Sequence, residues 1–364
     1  MLLALSLAGA FISKGFTLDF DIVIATRNRR KALQLSLPPM LTQRRLPSRL
    51  IVVDASDDHG ETRKTVENIV ADTGPAVGLE IIRSEPGSSR QRNAGLKLAG
   101  SPVVLFPDDD SLWFPGFSDA LMRIYERDEE ALIGGVGGRE SPVPPPGFLG
   151  GEGPSYRMAG RDRLQLSVGR FLDSIEYRLF PDPFFVEGAA AGRGKRVPPW
   201  LAEEESGLEA ALPGFRMSFR TELILKKGFD QALGTYALFE DYDASLSVLE
   251  THLLVDAGKA KVFHYRVPGD RVAGAEWGAM QILNRAYVIC KHSRPGSSAR
   301  KRLLGYSFYK LVRYLAQAHT PYGRQRVVGA AKALRCVSQL FEAPPGELPG
   351  LYALLRERCL SHLP

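Results

Sequence analysis

Short, uninterrupted runs of Val, Ile and Leu alternate with longer amphipathic stretches from Phe20 to Gly134. Phe20–Ala25, Leu50–Val53, Leu79–Arg83, Pro102–Phe106 and Ala131–Gly134 read as strands. Helices are expected from the residues after Asn28 to Leu37, over Glu61–Ala71, from Ser88 or Ser89 to about Leu98, and over Phe117–Arg127. Strands that are apolar at most positions on both faces need cover on both, so the alternation gives an α/β fold: a mostly parallel sheet with helices on both sides. Pro38-Pro39 is expected to stop or kink the first helix, and Ser88 or Ser89 to cap the third. In such sheets ligands sit beyond the carboxyl ends of the strands. Three of those ends are polar here: Thr26-Arg27-Asn28, Asp54 with Asp57, and Asp108-Asp109-Asp110.

Carboxylates crowded at a strand end repel one another unless a cation neutralises them. Mg²⁺ or Mn²⁺ takes oxygen ligands and keeps positions open for diphosphate oxygens. An isolated Asp triplet could equally be a solvated turn capping the next helix. The preceding strand and the acids on neighbouring strands favour a cation site. Asp57 and Asp58 read as turn residues.

The order of these segments resembles the family 2 glycosyltransferases of the GT-A fold. The resemblance rests on strand–Thr26-Arg27-Asn28, strand–Asp54-Ala55-Ser56-Asp57-Asp58, Arg92-Asn93-Ala94-Gly95 and Phe106-Pro107-Asp108-Asp109-Asp110. It continues through Gly214–Arg220, Gly228-Phe229-Asp230 and Phe239-Glu240-Asp241-Tyr242-Asp243, and covers about residues 19–270. It implies a Rossmann-like sheet and inverting, metal-dependent transfer from a nucleotide-diphosphate sugar. By position, Asp108 and Asp110 match the family's Asp-x-Asp element, which binds the metal and the ribose–diphosphate; Asp109 lies between them on the donor side. Thr26, Arg27, Asn28 and Asp54 match the nucleoside pocket, and Arg92-Asn93 the pair beside the diphosphate or sugar. Asp241 matches the catalytic base, with Glu240 on the acceptor side. His264 matches a late histidine completing the metal shell around Mn²⁺ or Mg²⁺.

The residue chemistry agrees with that assignment. Glycosyl transfer with inversion needs a base for the acceptor hydroxyl and a cation against the charge growing on the leaving diphosphate. Plainer readings exist beside each role: helix N-terminal acids for Glu240-Asp241, a half-buried strand histidine for His264 and a solvated helix charge for Arg92. The Gln-x-x-Arg-Trp run of processive synthases is absent, so addition of one or a few sugars is expected, in cell-surface polysaccharide synthesis. A nucleotidyltransferase-like enzyme is the competing reading, but Arg27-Asn28-Arg29-Arg30 stands where its Gly-rich loop would be. A non-catalytic membrane-surface protein keeping only the fold is a third.

The remaining expectations concern organisation. Residues 1–18 form an apolar leader, too short for the ~20 residues that span a bilayer. Residues 19–275 form the glycosyltransferase domain, with a Gly- and Pro-rich acceptor region at 138–214 containing a helix near Val168–Phe180. Further helices are expected at Leu223–Lys227 and Asp241–Thr251, and a last strand at Ala260–Tyr265. Residues 276–364 form a basic helical region. The chain carries a net charge of +6, yet Trp277 to Phe341 holds twelve Lys and Arg and no Asp or Glu. That imbalance points to an anionic partner. One reading sets this segment on an anionic membrane surface; the other makes it a solvated helix face whose stripe Leu304, Phe308, Leu311 and Leu315 is ordinary core. Nucleic acid is not expected, because no aromatic-interleaved platform is visible. Cys290, Cys336 and Cys359 are too few for a disulfide framework, so reduced thiols and a cytoplasmic location, peripheral at the inner membrane face, are the expectation.

Overall fold

The computed structural model describes residues 17–73, 77–148, 178, 194–267, 272–293 and 297–360. The strands are β1 (Phe20–Thr26), β2 (Arg49–Asp54), β3 (Gly78–Arg83), β4 (Val103–Phe106), β5 (Ser111–Trp113), β6 (Ile133–Glu140), β7 (Met217–Arg220) and β8 (Leu253–His264). The helices that interleave and follow are α1 (Arg30–Leu41), α2 (His59–Thr73), α3 (Ser88–Leu96), α4 (Phe117–Arg127), α5 (Thr221–Lys227), α6 (Glu240–Leu249), α7 (Gly274–His292), α8 (Ser298–Leu315), α9 (Pro321–Cys336) and α10 (Leu348–Leu360). One eight-stranded sheet runs in the order β3-β2-β1-β4-β7-β6-β8-β5. β3, β2, β1 and β4 are parallel neighbours, β7 is antiparallel to both of its neighbours, and β5 runs against the end of β8.

The pleat sorts the apolar strand residues onto two faces. Ile22, Ile24, Leu50 and Val52 pack beneath Leu33 and Leu37 of α1, Val66 of α2 and Leu121 of α4. Val23, Ile51, Val53, Val104 and Phe106 face α3 and the C-terminal helices, in one core that reaches Tyr287 of α7, Leu303 of α8 and Tyr352 and Leu355 of α10. Burying each such side chain stabilises the fold by roughly 1.5–3 kcal/mol before entropy is counted. The last helices thus complete the cover of the sheet. Among the described residues no helix is long and apolar enough to cross a membrane.

Several local expectations change. α1 runs through Pro38 and Pro39 to Leu41; Met40 and Leu41 are buried, and Thr42 N–H still bonds the Pro38 carbonyl at 3.0 Å. Packing of the last turn outweighs two lost ladder bonds. Gly87, not a serine, precedes α3, and no side chain caps it, because Ser89 Oγ is directed to Glu240 instead. β8 begins seven residues before Ala260 and β6 extends to Glu140. The helix expected near Val168–Phe180 lies outside the described residues, save for helical Arg178. In α8 the buried residues are Ala299, Arg300, Leu303, Tyr306, Ser307 and Tyr314; of the expected stripe Leu311 packs against the core, while Leu304, Phe308 and Leu315 are exposed.

Candidate active site

β1, β2 and β4 end side by side, as a parallel sheet requires, and bring Thr26, Asp54 and Asp108–Asp110 to one edge. The antiparallel pair of β5 with β8 sets Ser111 opposite His264. Tyr265 N–H bonds the Asp110 carbonyl at 3.0 Å. These ladders bring the triplet and the histidine together. Ligand atoms of Asp108, Asp110 and His264 lie within 4.8 Å of one another.

His264 Nε2 stands 3.2 Å from Asp110 Oδ1 and 3.9 Å from Asp108 Oδ2. Its ring stacks on Phe215 at 4.5 Å with an interplanar angle of 12°. Asp110 Oδ1 is buried and accepts no well-formed hydrogen bond. Two ligand atoms about 3 Å apart match neighbouring positions around an ion with bonds of ~2.1 Å. The three residues therefore fit a small divalent cation. Burial opposes ionisation of Asp110, but His264 and Arg29 outweigh it and hold its pKa down. Burial likewise opposes protonation of His264, and Asp110 and Asp108 reverse that, raising its pKa.

Asp109 has a different environment. Its buried carboxylate accepts from Thr26 Oγ1 and Arg29 Nη1, each at 2.7 Å, and burial pushes its pKa up to about 7. Thr26 and Asp109, both expected to meet the donor, are thus bonded to each other. Arg29 also bonds Asp110 Oδ2 at 2.8 Å and the Val267 carbonyl at 2.8 Å. Sequence reading passed over Arg29; its signal was its place two residues after Arg27 in a basic run that ends β1. Asn28 sits at φ 56°, a conformation asparagine tolerates, with its amide exchanging hydrogen bonds with Asp57. Arg27 and Asn28 are exposed at this edge. Asp54 is fully buried, accepting from Ser56 N–H at 2.9 Å and lying 2.8 Å from His59 Nδ1. Asp58 accepts from Glu61 N–H at the start of α2.

A buried guanidinium links the triplet to α6. Arg92 bonds Asp108 Oδ1 at 2.7 Å and Glu240 Oε1 on its other side. α3 carries it there because Gly95 lets the helix lie against β1, where an added Cβ would fall 2.4 Å from Val23 Cγ1. Glu240, expected on the acceptor side, is instead buried between Arg92 and Ser89 Oγ, the latter at 2.6 Å. A carboxylate is needed there because an unpaired buried guanidinium is costly. Asn93, expected beside the donor, exchanges bonds of 2.7 and 2.8 Å between its amide and the Phe229 backbone. That contact holds the turn at Gly228, whose φ of 66° favours glycine.

Asp241 is half-buried. Its Oδ2 accepts from Gly214 N–H at 2.8 Å and its Oδ1 from Tyr242 N–H at 2.9 Å. A Cβ on Gly214 would lie 3.2 Å from Arg92 Nη2 and 3.6 Å from Asp241 Oδ2, so Arg92, Gly214 and Asp241 are neighbours. Burial raises the Asp241 pKa against the two backbone donors and Arg92. Phe239, two residues earlier, holds φ 75°, a strained value for an aromatic residue. It is clamped by the Arg285 guanidinium 4.3 Å from its ring centroid.

Residues 21–167 match the profile described as glycosyl transferase family 2. No curated protein matches the chain in sequence. Among solved structures, S. aureus TarS 1-349 in complex with UDP-GlcNAc is similar, with a TM-score of 0.53 and 13% identity over 93% of this chain and 91% of that one. GalNAc-T7 with UDP, GalNAc and Mn²⁺ is similar with a TM-score of 0.50 and 13% identity, over 92% of this chain and 58% of that one. Mannosyltransferase PcManGT from Pyrobaculum calidifontis, in complex with GDP-Man and Mn²⁺, gives a TM-score of 0.49 and 18% identity, over 93% of this chain and 81% of that one. The fold is that of GT-A glycosyltransferases. The family 2 match runs from β1 past the Asp triplet and covers less than half of the chain.

Proposed function

We propose that the chain is an inverting, non-processive glycosyltransferase. It moves a sugar from a nucleotide-diphosphate sugar to a hydroxyl of a glycan or lipid-linked acceptor in cell-surface polysaccharide synthesis, at the inner face of the membrane. One observation carries this reading: Arg92, bonded to Asp108 of the ligand cluster, is a neighbour of Asp241 at Gly214. Transfer chemistry is assigned to residues 19–275, with acceptor recognition in 138–214, much of which lies outside the described residues.

Asp241 takes the proton of the acceptor hydroxyl on a carboxylate oxygen. The acceptor oxygen bonds to the anomeric carbon as the bond from that carbon to the diphosphate oxygen breaks, its electron pair leaving with the diphosphate. Attack opposite the leaving group inverts the anomeric configuration. Burial makes Asp241 a stronger base than an ordinary aspartate, and the Gly214 and Tyr242 amides fix its orientation. Arg92 and Arg29 supply fixed positive charge beside the aspartates. A divalent cation, Mn²⁺ or Mg²⁺, held by Asp108, Asp110 and His264 would supply charge against the departing diphosphate.

The test is thermal unfolding of the full chain with UDP-, GDP- and dTDP-sugars, with and without Mn²⁺, followed by NMR of the product's anomeric centre. One donor should raise the melting temperature in a Mn²⁺-dependent way, and Asp110→Ala should abolish that increment. Retained configuration in the product would exclude the single-displacement step.

A further inference from the structure

α8 buries one side in the core and presents a continuous apolar stripe on the other. Leu304 is 39% exposed, Phe308 61%, Val312 47% and Leu315 54%. Their spacing of four, four and three places them on one face of the helix. Lys301 and Gly305 are exposed on the same face, and exposed Arg302 flanks it. α9 packs against α8 and adds Val328, 42% exposed, and exposed Arg324 and Arg335. No Asp or Glu occurs between Trp277 and Phe341.

Part of the positive charge there serves the fold. Lys291 pairs with Asp230 and Asp243, Arg285 is buried between Phe239 and Tyr306, Arg300 is buried, and Arg326 stacks on Tyr314. Lys301, Arg302, Arg324 and Arg335 are exposed at the surface, Arg324 also donating to the Ala318 and His319 carbonyls. An apolar stripe with exposed Lys301 and Arg302 beside it, in a segment free of Asp and Glu, repels a basic partner and a second copy of itself, while it complements a surface that is apolar below and anionic above. An acyl–headgroup boundary has that layering.

We infer that α8 docks the protein on an anionic lipid bilayer, Phe308 and Val312 entering the acyl boundary and Lys301 and Arg302 meeting lipid phosphates. This deepens the proposed use of a lipid-linked acceptor by fixing which face meets the membrane, yet it stands on the helix surface and not on the transfer reaction. Each cation near such a surface contributes about 1 kcal/mol, and the contribution is screened by salt.

Co-sedimentation of the full chain with vesicles of phosphatidylcholine, with and without phosphatidylglycerol, tests it. Binding is expected to the anionic vesicles alone and to fall about tenfold for Phe308→Ser/Val312→Ser and again for Lys301→Glu/Arg302→Glu. The melting temperatures of both variants should match the parent, and donor turnover without vesicles should be unchanged, which separates failure of this inference from failure of the glycosyltransferase reading. Equal binding by parent and variants overturns it. So does a concentration-dependent dimer in sedimentation velocity that Phe308→Ser/Val312→Ser dissolves, since the stripe would then cover a second copy.

Discussion

At the carboxyl edge of the sheet, Asp108, Asp109, Asp110, Glu240 and Asp241 are set against the guanidiniums of Arg29 and Arg92, with His264 alongside. On the far side of α6, Asp230 and Asp243 share the Lys291 ammonium at 2.7 and 2.8 Å, with Tyr287 Oη donating to Asp230 at 2.7 Å and His292 Nε2 2.8 Å from Asp243. Both clusters are largely buried. The second is closer to balance, two carboxylates against one ammonium with Tyr287 and His292 beside them, and joins α6, α7 and the turn after α5. The first carries an excess of negative charge and a buried carboxylate oxygen on Asp110 without a well-formed hydrogen bond. Balance glues helices together; excess calls for something cationic from outside.

The comparison predicts opposite responses to mutation, and the largest belongs to the unbalanced cluster. Asp241→Asn keeps the side chain's shape but removes the proposed base and one of the two acceptors for the Gly214 and Tyr242 amides, so transfer should fall about 10³-fold while the donor-induced rise in melting temperature remains. Loss of both would mean that Asp241 serves binding rather than proton transfer. In the balanced cluster, Lys291→Met leaves Asp230 and buried Asp243 short of a cation. It should cost about 3 kcal/mol in urea unfolding, with turnover per folded molecule unchanged. If Lys291→Met were neutral and catalytically defective, the distinction between the clusters would collapse.

Metal should separate the clusters next. At a hundredfold excess over its dissociation constant, Mn²⁺ should stabilise the parent by ~2.7 kcal/mol. Asp110→Asn should lose that increment, and Lys291→Met should keep it. The smallest effects are in pH. Burial raises the Asp241 pKa, so the acid limb of turnover should lie above the ordinary aspartate range, as the ionised form is the active one. Asp230 has the opposite sign: burial works against its ionisation, but Lys291 and Tyr287 outweigh it and lower its pKa. Its stabilising contribution is therefore present above the unfolded aspartate pKa and lost as pH falls through the lower folded value. Unfolding titrations of the parent and Asp230→Asn between neutral and strongly acid pH should converge at the acid end.

Much of the molecule was legible in the chain. β1, β2 and β4 are largely apolar runs, and such runs have few alternatives to a covered parallel sheet; β3, with Glu80, is the partly exposed edge strand. Once the strands are parallel, Asp54 and Asp108–Asp110 must share an edge. The basic bias of residues 277–341 needed only counting. What escaped was direction. Spacing shows a stripe on α8 but not which side of it the core takes, because a helix facing lipid and a helix facing protein share the same period. Pro38 and Pro39 signal a break that burial of Met40 and Leu41 overrides.

The sequence by itself determined which residue types reach the site, since strand ends and their order are set by local apolar patterning. Only the tertiary structure decided their duties: Arg29 and Thr26 holding Asp109, Glu240 serving Arg92, Asn93 holding a turn, and His264 facing Asp110. Those partners lie from 80 to more than 150 residues apart along the chain. Side chains that distant choose partners by charge and burial in three dimensions, which no local pattern encodes.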